Sequence, residues 1–249
     1  MKEPGSWNAA AQAHPAEIEP GTLYLVSTPV GNLRDISLRA LDVLAGVDLI
    51  AAEDTRTSRI LLQHYAISTP LTRYHDHNEE RAAPLLVQQL TQGAAVALIS
   101  DAGTPGISDP GFYLVRAALQ AGCSVMAVPG ATAFVPALIV SGLPAERFIF
   151  EGFLPHKKGR QTRLQALREE PRTIILYESP LRVERLLREL HETLGDRPAV
   201  IAREVTKKFE EIRRGTLTVL IAGSATLVKK GEFVVMVAGR SRNSKEASE

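Results

Sequence analysis

The amino-acid sequence predicts an α/β protein built as two successive α/β domains. Three observations carry that reading. Short apolar runs of strand length alternate with helix-like segments along most of the chain, the pattern of βα units and a mostly parallel sheet. The chain has 249 residues, of which 45% are hydrophobic. That is enough for one large or two medium cores and too apolar for a disordered chain. The pattern also restarts near Phe148, after a Ser-Gly-Leu-Pro break at 141–144. The boundaries read from the sequence are a disordered lead-in over 1–20, a first domain over 21–145, a second over 146–240 and a polar tail over 241–249.

In the first domain, Leu23–Val26 is the first strand and Ser37–Leu44 the first helix. Leu49–Ala52 is the next strand and Ser58–Tyr65 the next helix. Leu71–Tyr74 is a short third strand. Glu79–Leu90 follows as a helix, with Asn78 in N-cap position. Ala95–Ile99 is a strand, Gly111–Gln120 a helix stopped by Gly122, and Val125–Val128 the fifth strand. In the second domain the strand-like runs are Phe148–Phe150, Thr173–Tyr177, Val200–Ala202 and Phe233–Val237. Charged helical stretches lie over Arg160–Glu170 and Leu181–Leu194, and Glu210–Arg214 has the character of an extra, antiparallel strand.

Composition excludes several classes. Net charge is +1 over the whole chain, unlike a dedicated nucleic-acid module. The charge is unevenly spread, however. Residues 21–151 carry 8 basic and 12 acidic side chains, whereas residues 152–215 carry 15 and 10, a net +5. One cysteine, Cys123, allows neither an intrachain disulfide nor a cysteine zinc site. No apolar stretch has the length of a membrane span, and residues 1–20 lack the apolar core of an export signal.

The chemistry is expected in the loops beyond the carboxyl ends of the strands, where open α/β sheets bind ligands. They read Ser27-Thr28-Pro29-Val30-Gly31-Asn32, Glu53-Asp54-Thr55-Arg56, the Gly/Pro-rich stretch from Ser100 to Gly111, and Pro129-Gly130-Ala131-Thr132-Ala133. Glycines permit close backbone approach to a ligand and prolines fix the path of a loop. The first βα loop is not GxGxxG, and neither GxxxxGK[ST] nor GxSxG occurs. Dinucleotide folds of the usual type, P-loop NTPases and α/β-hydrolases therefore lose their main support.

Eight strings in order, STPVGNL with RDIS, AAEDTR, YHDHNE, SDAGTPGISDPG, the PG turn with SGLP, EGFLP, YESP and AREVTKKFEE, resemble the tetrapyrrole methylase superfamily. Within it they resemble the ribosomal small subunit methyltransferase I branch. The resemblance runs from about Gly21 to Arg240. It implies S-adenosylmethionine in a cleft between the two domains and methyl transfer to the ribose 2′-oxygen of a decoding-region cytidine in 16S rRNA. It also implies a cytoplasmic homodimer acting on the small ribosomal subunit, with no membrane attachment. On matching positions it implies cofactor contacts from Ser100, Asp101, Ala102, Gly103, Thr132 and Ala133, with Phe153, Leu154 and Ala202 from the second domain. The family often has PGPSA where this chain has PGATA; Thr132 keeps the hydroxyl. Some members continue into a helical extension, whereas this sequence stops nine residues after Arg240.

Acid–base candidates are Glu53, Asp54 and Arg56 behind the second strand, His77 in the His-Asp-His string, and Lys207. Asp54 is equally suited to capping the next helix, and the His-Asp-His string reads as a polar turn, with no metal set assigned. Lys157, Lys158, Arg160 and Lys208 are the phosphate-binding candidates. The arginines at 182, 185 and 188 alternate with Glu184 and Glu189 in helical ion-pair spacing. Two other activities remain open at this stage: a corrin-type tetrapyrrole methylase, and a non-catalytic RNA- or ribosome-binding protein that keeps the cofactor fold.

Overall fold

A computed structural model describes residues 16–240. The lead-in expected over 1–20 falls outside those residues up to position 15, and so does the polar tail at 241–249. Residues 16–20 are tied down: Ala16 N–H donates to the Asp42 carboxylate, Glu19 N–H donates to Tyr24 Oη, and Ile18 packs on the first core.

The chain divides into two compact units, with the division between Thr132 and Ala133. The first contains five strands, β1 (Thr22–Val26), β2 (Leu49–Ala52), β3 (Leu71–Arg73), β4 (Val96–Ile99) and β5 (Ser124–Val128). Between them lie four α-helices, α1 (Leu38–Gly46), α2 (Thr55–His64), α3 (Glu79–Thr91) and α4 (Phe112–Gln120). All strand pairings are parallel, in the order β3-β2-β4-β1-β5. The central strand β4 is buried along its whole length, as a parallel strand with helices on both faces must be. The chain leaves β1 toward one edge and leaves β4 toward the other. The crevice of this sheet therefore opens between the carboxyl ends of β1 and β4.

The second unit starts with α5 (Phe134–Ser141). The strands β6 (Phe148–Phe153), β7 (Thr173–Glu178), β8 (Pro198–Arg203), β9 (Glu211–Thr216) and β10 (Phe233–Val237) form a mixed sheet in the order β6-β7-β10-β8-β9. Only β6 and β7 are parallel; the other pairs are antiparallel. The 210–214 segment is thus the antiparallel strand expected of it. The helices α6 (Arg160–Ala166), α7 (Val183–Leu194) and α8 (Leu217–Ala222) complete the unit. One core of leucines from α6, α7 and α8 lies against Ile174, Leu176, Ile201 and Val235. A second core sets Ala137 and Leu138 of α5 against Ile175, Val200 and Met236. That packing places 133–144 with the second sheet, ahead of the 145/146 boundary read from the sequence. No helix among the described residues is long and apolar enough to cross a membrane.

Candidate active site

The crevice of the first unit is built by the loops leaving β1, β4 and β5. Thr28 and Gly103 form an antiparallel bridge: Thr28 N–H donates to Gly103 O at 2.8 Å, and Gly103 N–H returns a bond to Thr28 O at 3.0 Å. Thr28 Oγ1 donates to Ser100 O at 3.0 Å. The φ of Gly103 is 99°, a value side chains rarely adopt, so the bridge requires glycine there. Thr104 is the hub of the three loops. Its hydroxyl donates to Ala131 O at 3.0 Å and lies 2.8 Å from both Ser27 Oγ and Thr132 Oγ1. A hydroxyl has one proton and two lone pairs, so the other two hydroxyls donate to Thr104 and its capacity is filled. Gly130 closes the contact. A Cβ there would stand 2.8 Å from Ser27 Cβ, so only glycine lets the β5 loop lie against the β1 loop.

The loop after β2 joins from the other side. Asp54 N–H donates to Asp101 Oδ1 at 3.0 Å. Asp54 caps α2 by accepting Arg56 N–H at 2.8 Å and pairs with the Arg56 guanidinium at 2.6 Å. The Arg56 hydrogen bonds hold its carboxyl at about 2. Asp54 and Arg56 therefore occupy each other, and the capping alternative describes Asp54. Glu53 is half-buried, and its pKa is raised by desolvation and then by the Asp101 charge. Asp101 is raised by desolvation, against which the Asp54 N–H works. The half-buried Glu53 and the exposed Asp101 thus stand together in the strand-end loops, Asp101 next in sequence to Ser100 of the bridge. That set suits a cation carrying hydroxyl groups.

The other candidates are distributed differently. Ser100 is buried, and Ala102 and Thr132 are partly buried beside the same bridge. In the second unit Ala133 is the N-cap residue of α5, and Phe153 is half exposed with its ring against Tyr177. Leu154 and Ala202, at 2% and 0% exposure, lie in the two cores of the second unit. Arg160 is a correction. Its side chain is 4% exposed and is held by Glu178, Glu189 and Pro155 O, so it does not face a phosphate. Lys157 and Lys158 are exposed, and Lys208 lies over the exposed Phe209 ring. Lys207 is paired with Glu204 at 2.8 Å. His77 stands in a separate hollow at the β3 edge. Asn78 sits at the N-cap position of α3, but its side chain turns back, accepting His75 N–H and donating to Arg73 O. Sequence reasoning missed Thr104; the signal was a hydroxyl residue in each of three strand-end loops.

These features define a doubly wound α/β unit with a switch-point ligand crevice, followed by a second, mixed-sheet unit. The chain belongs to the tetrapyrrole (corrin/porphyrin) methylase family, whose model matches residues 22–221. It is 53% identical over 223 residues to the ribosomal RNA small subunit methyltransferase I of Pseudomonas aeruginosa, covering 88% of this chain and 79% of that protein. It is 52% identical to the protein of the same name from Pasteurella multocida, covering 88% and 80%. Its fold is similar to that of a uroporphyrin-III C-methyl transferase from Thermus thermophilus solved with S-adenyl homocysteine. There the TM-score is 0.61 at 20% identity, over 86% of this chain and 96% of that one.

Proposed function

We propose that this chain transfers the methyl group of S-adenosylmethionine to the 2′-oxygen of a decoding-region cytidine in 16S rRNA. The observation that carries the reading is the identity of about half of all residues, over most of both chains, with proteins named ribosomal RNA small subunit methyltransferase I. The crevice agrees with it. When bound, S-adenosylmethionine supplies an electrophilic methyl carbon and a neutral leaving thioether. Ser100, Asp101, Ala102, Gly103 and Thr132 would hold it. The Asp101 and Glu53 carboxylates favour a cation there, and the loop hydroxyls and carbonyls satisfy an ammonium and a ribose. The protein's contribution is alignment and a fixed electrostatic setting.

The acceptor hydroxyl must lose a proton. Among the acid–base candidates, Asp54 and Arg56 hold each other, Lys207 is held by Glu204, and His77 lines the hollow at the β3 edge rather than the crevice. Glu53 remains, half-buried and with its pKa raised, which makes it a stronger base than an ordinary carboxylate. We assign it proton acceptance. A cytoplasmic homodimer is part of the same reading. Phe112 and Leu119 of α4 are 73% and 59% exposed, an apolar surface suited to a second copy.

The test supplies labelled S-adenosylmethionine with purified protein and, in separate reactions, 30S subunits, naked 16S rRNA or a tetrapyrrole precursor. Label in rRNA is expected. Label only in the tetrapyrrole would replace this reading with the corrin-type one. Cofactor binding without transfer to any of the three would replace it with a non-catalytic binding role.

A further inference from the structure

We propose that three arginines at the free edge of the first sheet, Arg59, Arg73 and Arg81, form the seat for the phosphates flanking the target nucleotide. The inference rests on the RNA-methylating function proposed above and adds the surface that holds the substrate. The three line one hollow of about 610 Å³ together with Thr55, His77 and Asn78, and no acidic residue lines it. They come from three different elements: Arg59 from α2, Arg73 from the end of β3 and Arg81 from the first turns of α3. All three are exposed. Among the described residues none of them forms an ion pair or a side-chain hydrogen bond with the protein. The acids nearby are otherwise placed: Asp54 is paired with Arg56, Glu79 faces Tyr74 Oη at 3.3 Å, and Asp76 and Glu80 are exposed outside the lining.

The contrast with the second unit gives the hollow its meaning. That unit has the higher net charge, yet its Arg160, Arg163, Arg172, Arg182, Arg185 and Arg188 all pair with glutamates. A paired guanidinium has little left to give a polyanion, whereas an unpaired one releases counterions on binding phosphate. Position argues the same way. Thr55 of the hollow follows directly on Asp54, whose N–H binds Asp101, so the lining of the hollow begins one residue along the chain from the loop that meets the crevice, and Arg59 lies one helical turn further on. Asn78 bonds to Arg73 O and His75 N–H, fixing the turn that carries Arg73 and His77. Guanidiniums suit the task because their forked donors match phosphate oxygens.

The test replaces Arg59, Arg73 and Arg81 together by Gln, with a Lys triple variant and the single R59Q and R81Q variants as controls. Affinity for a 16S rRNA transcript is measured against salt, alongside kcat, KM for 30S subunits and cofactor affinity. The Gln triple is expected to lower the log–log salt slope by about 2. It should raise KM at least tenfold and leave cofactor affinity and kcat at saturating substrate near the starting values. The Lys triple should recover most of the salt slope. An unchanged slope in the Gln triple, with the unaltered protein methylating rRNA, would overturn the phosphate seat and leave the activity standing. Loss of cofactor affinity in step with RNA affinity would overturn it too, by showing that the arginines act through the crevice. An unaltered protein that neither binds nor methylates rRNA would remove the function on which the seat rests.

Discussion

Replacing Thr104 by Val removes one hydroxyl and keeps the shape, so it isolates the hub of the three loops. Three hydrogen bonds converge on that oxygen, to Ala131 O, Ser27 Oγ and Thr132 Oγ1. At about 1 kcal/mol net for each bond the upper limit is about 3 kcal/mol. Thr104 is only half-buried, so water satisfies part of what is left, and about 1.5–2 kcal/mol is expected. In a chain of this size that is a fall of roughly 3–4 °C in Tm. The loops that would hold the cofactor also lose their mutual anchor, and a tenfold weaker Kd for S-adenosylhomocysteine follows if about 1.4 kcal/mol of organisation is lost. Urea unfolding and titration calorimetry measure the two effects. Thr104→Ser keeps the hydroxyl and should retain most of both. Val and Ser variants that match the starting protein within about 0.5 kcal/mol, with equal affinities, would refute the hub.

Asp101→Asn and Glu53→Gln remove carboxylates whose pKa values are raised in the fold. Between the unfolded and folded pKa the native state binds more protons, so these groups make stability fall as pH rises. Both variants should therefore gain stability relative to the parent as pH rises above the ordinary carboxylate range, measured by Tm from pH 3 to 7. The same ionisation attracts a cation, so cofactor affinity should rise with pH over that window in the parent and flatten in D101N. Gly130→Ala puts a Cβ 2.8 Å from Ser27 Cβ and should reduce cofactor affinity at least tenfold by calorimetry, while Gly122→Ala, strained only by its own φ of 75° at the turn before β5, should lower stability and leave affinity unchanged. Arg160→Met leaves Glu178 and Glu189 short of a buried partner and should cost about 3 kcal/mol in urea unfolding, with the RNA salt slope unchanged.

Much of the fold was legible because its signals are local. The βα alternation of the first unit shows directly in runs such as Leu49–Ala52 and Ala95–Ile99, and the extra antiparallel strand showed in the alternating 210–214 segment. Helix α5 was not legible. Its sequence, Phe-Val-Pro-Ala-Leu-Ile-Val-Ser, is apolar nearly all round, so periodicity had no polar face to mark, and only its packing against Ile175 and Met236 assigns it to the second unit. Asn78 illustrates a different limit. Its position before α3 was right, but the preference for capping lost to two bonds within the preceding turn.

In the site, the strand-end loops were found from glycine and proline content, yet the hydroxyl hub was not, because it joins residues 77 and 28 positions apart. Charge was the least reliable guide. Counting by segment favoured the second unit, since pairing is a tertiary property that a count ignores. Arg160 lies in an apparently basic loop and is buried between two glutamates. The three arginines of the hollow belong to the more acidic segment, where Arg59, Arg73 and Arg81 are separated in sequence and come together because α2, β3 and α3 share one edge.

The central claim is methyl transfer to a ribose oxygen, and one chemical property isolates it. A 2′-O-methyl group removes the hydroxyl that attacks the neighbouring phosphodiester, so alkali leaves the methylated nucleotide joined to the one that follows. Purified protein, 30S subunits lacking the modification and methyl-labelled S-adenosylmethionine should yield rRNA whose label, after alkaline hydrolysis, lies in a single resistant dinucleotide beginning with cytidine. Label in alkali-sensitive mononucleotides would place the methyl on a base, and no label in rRNA while the protein binds cofactor would contradict the account altogether.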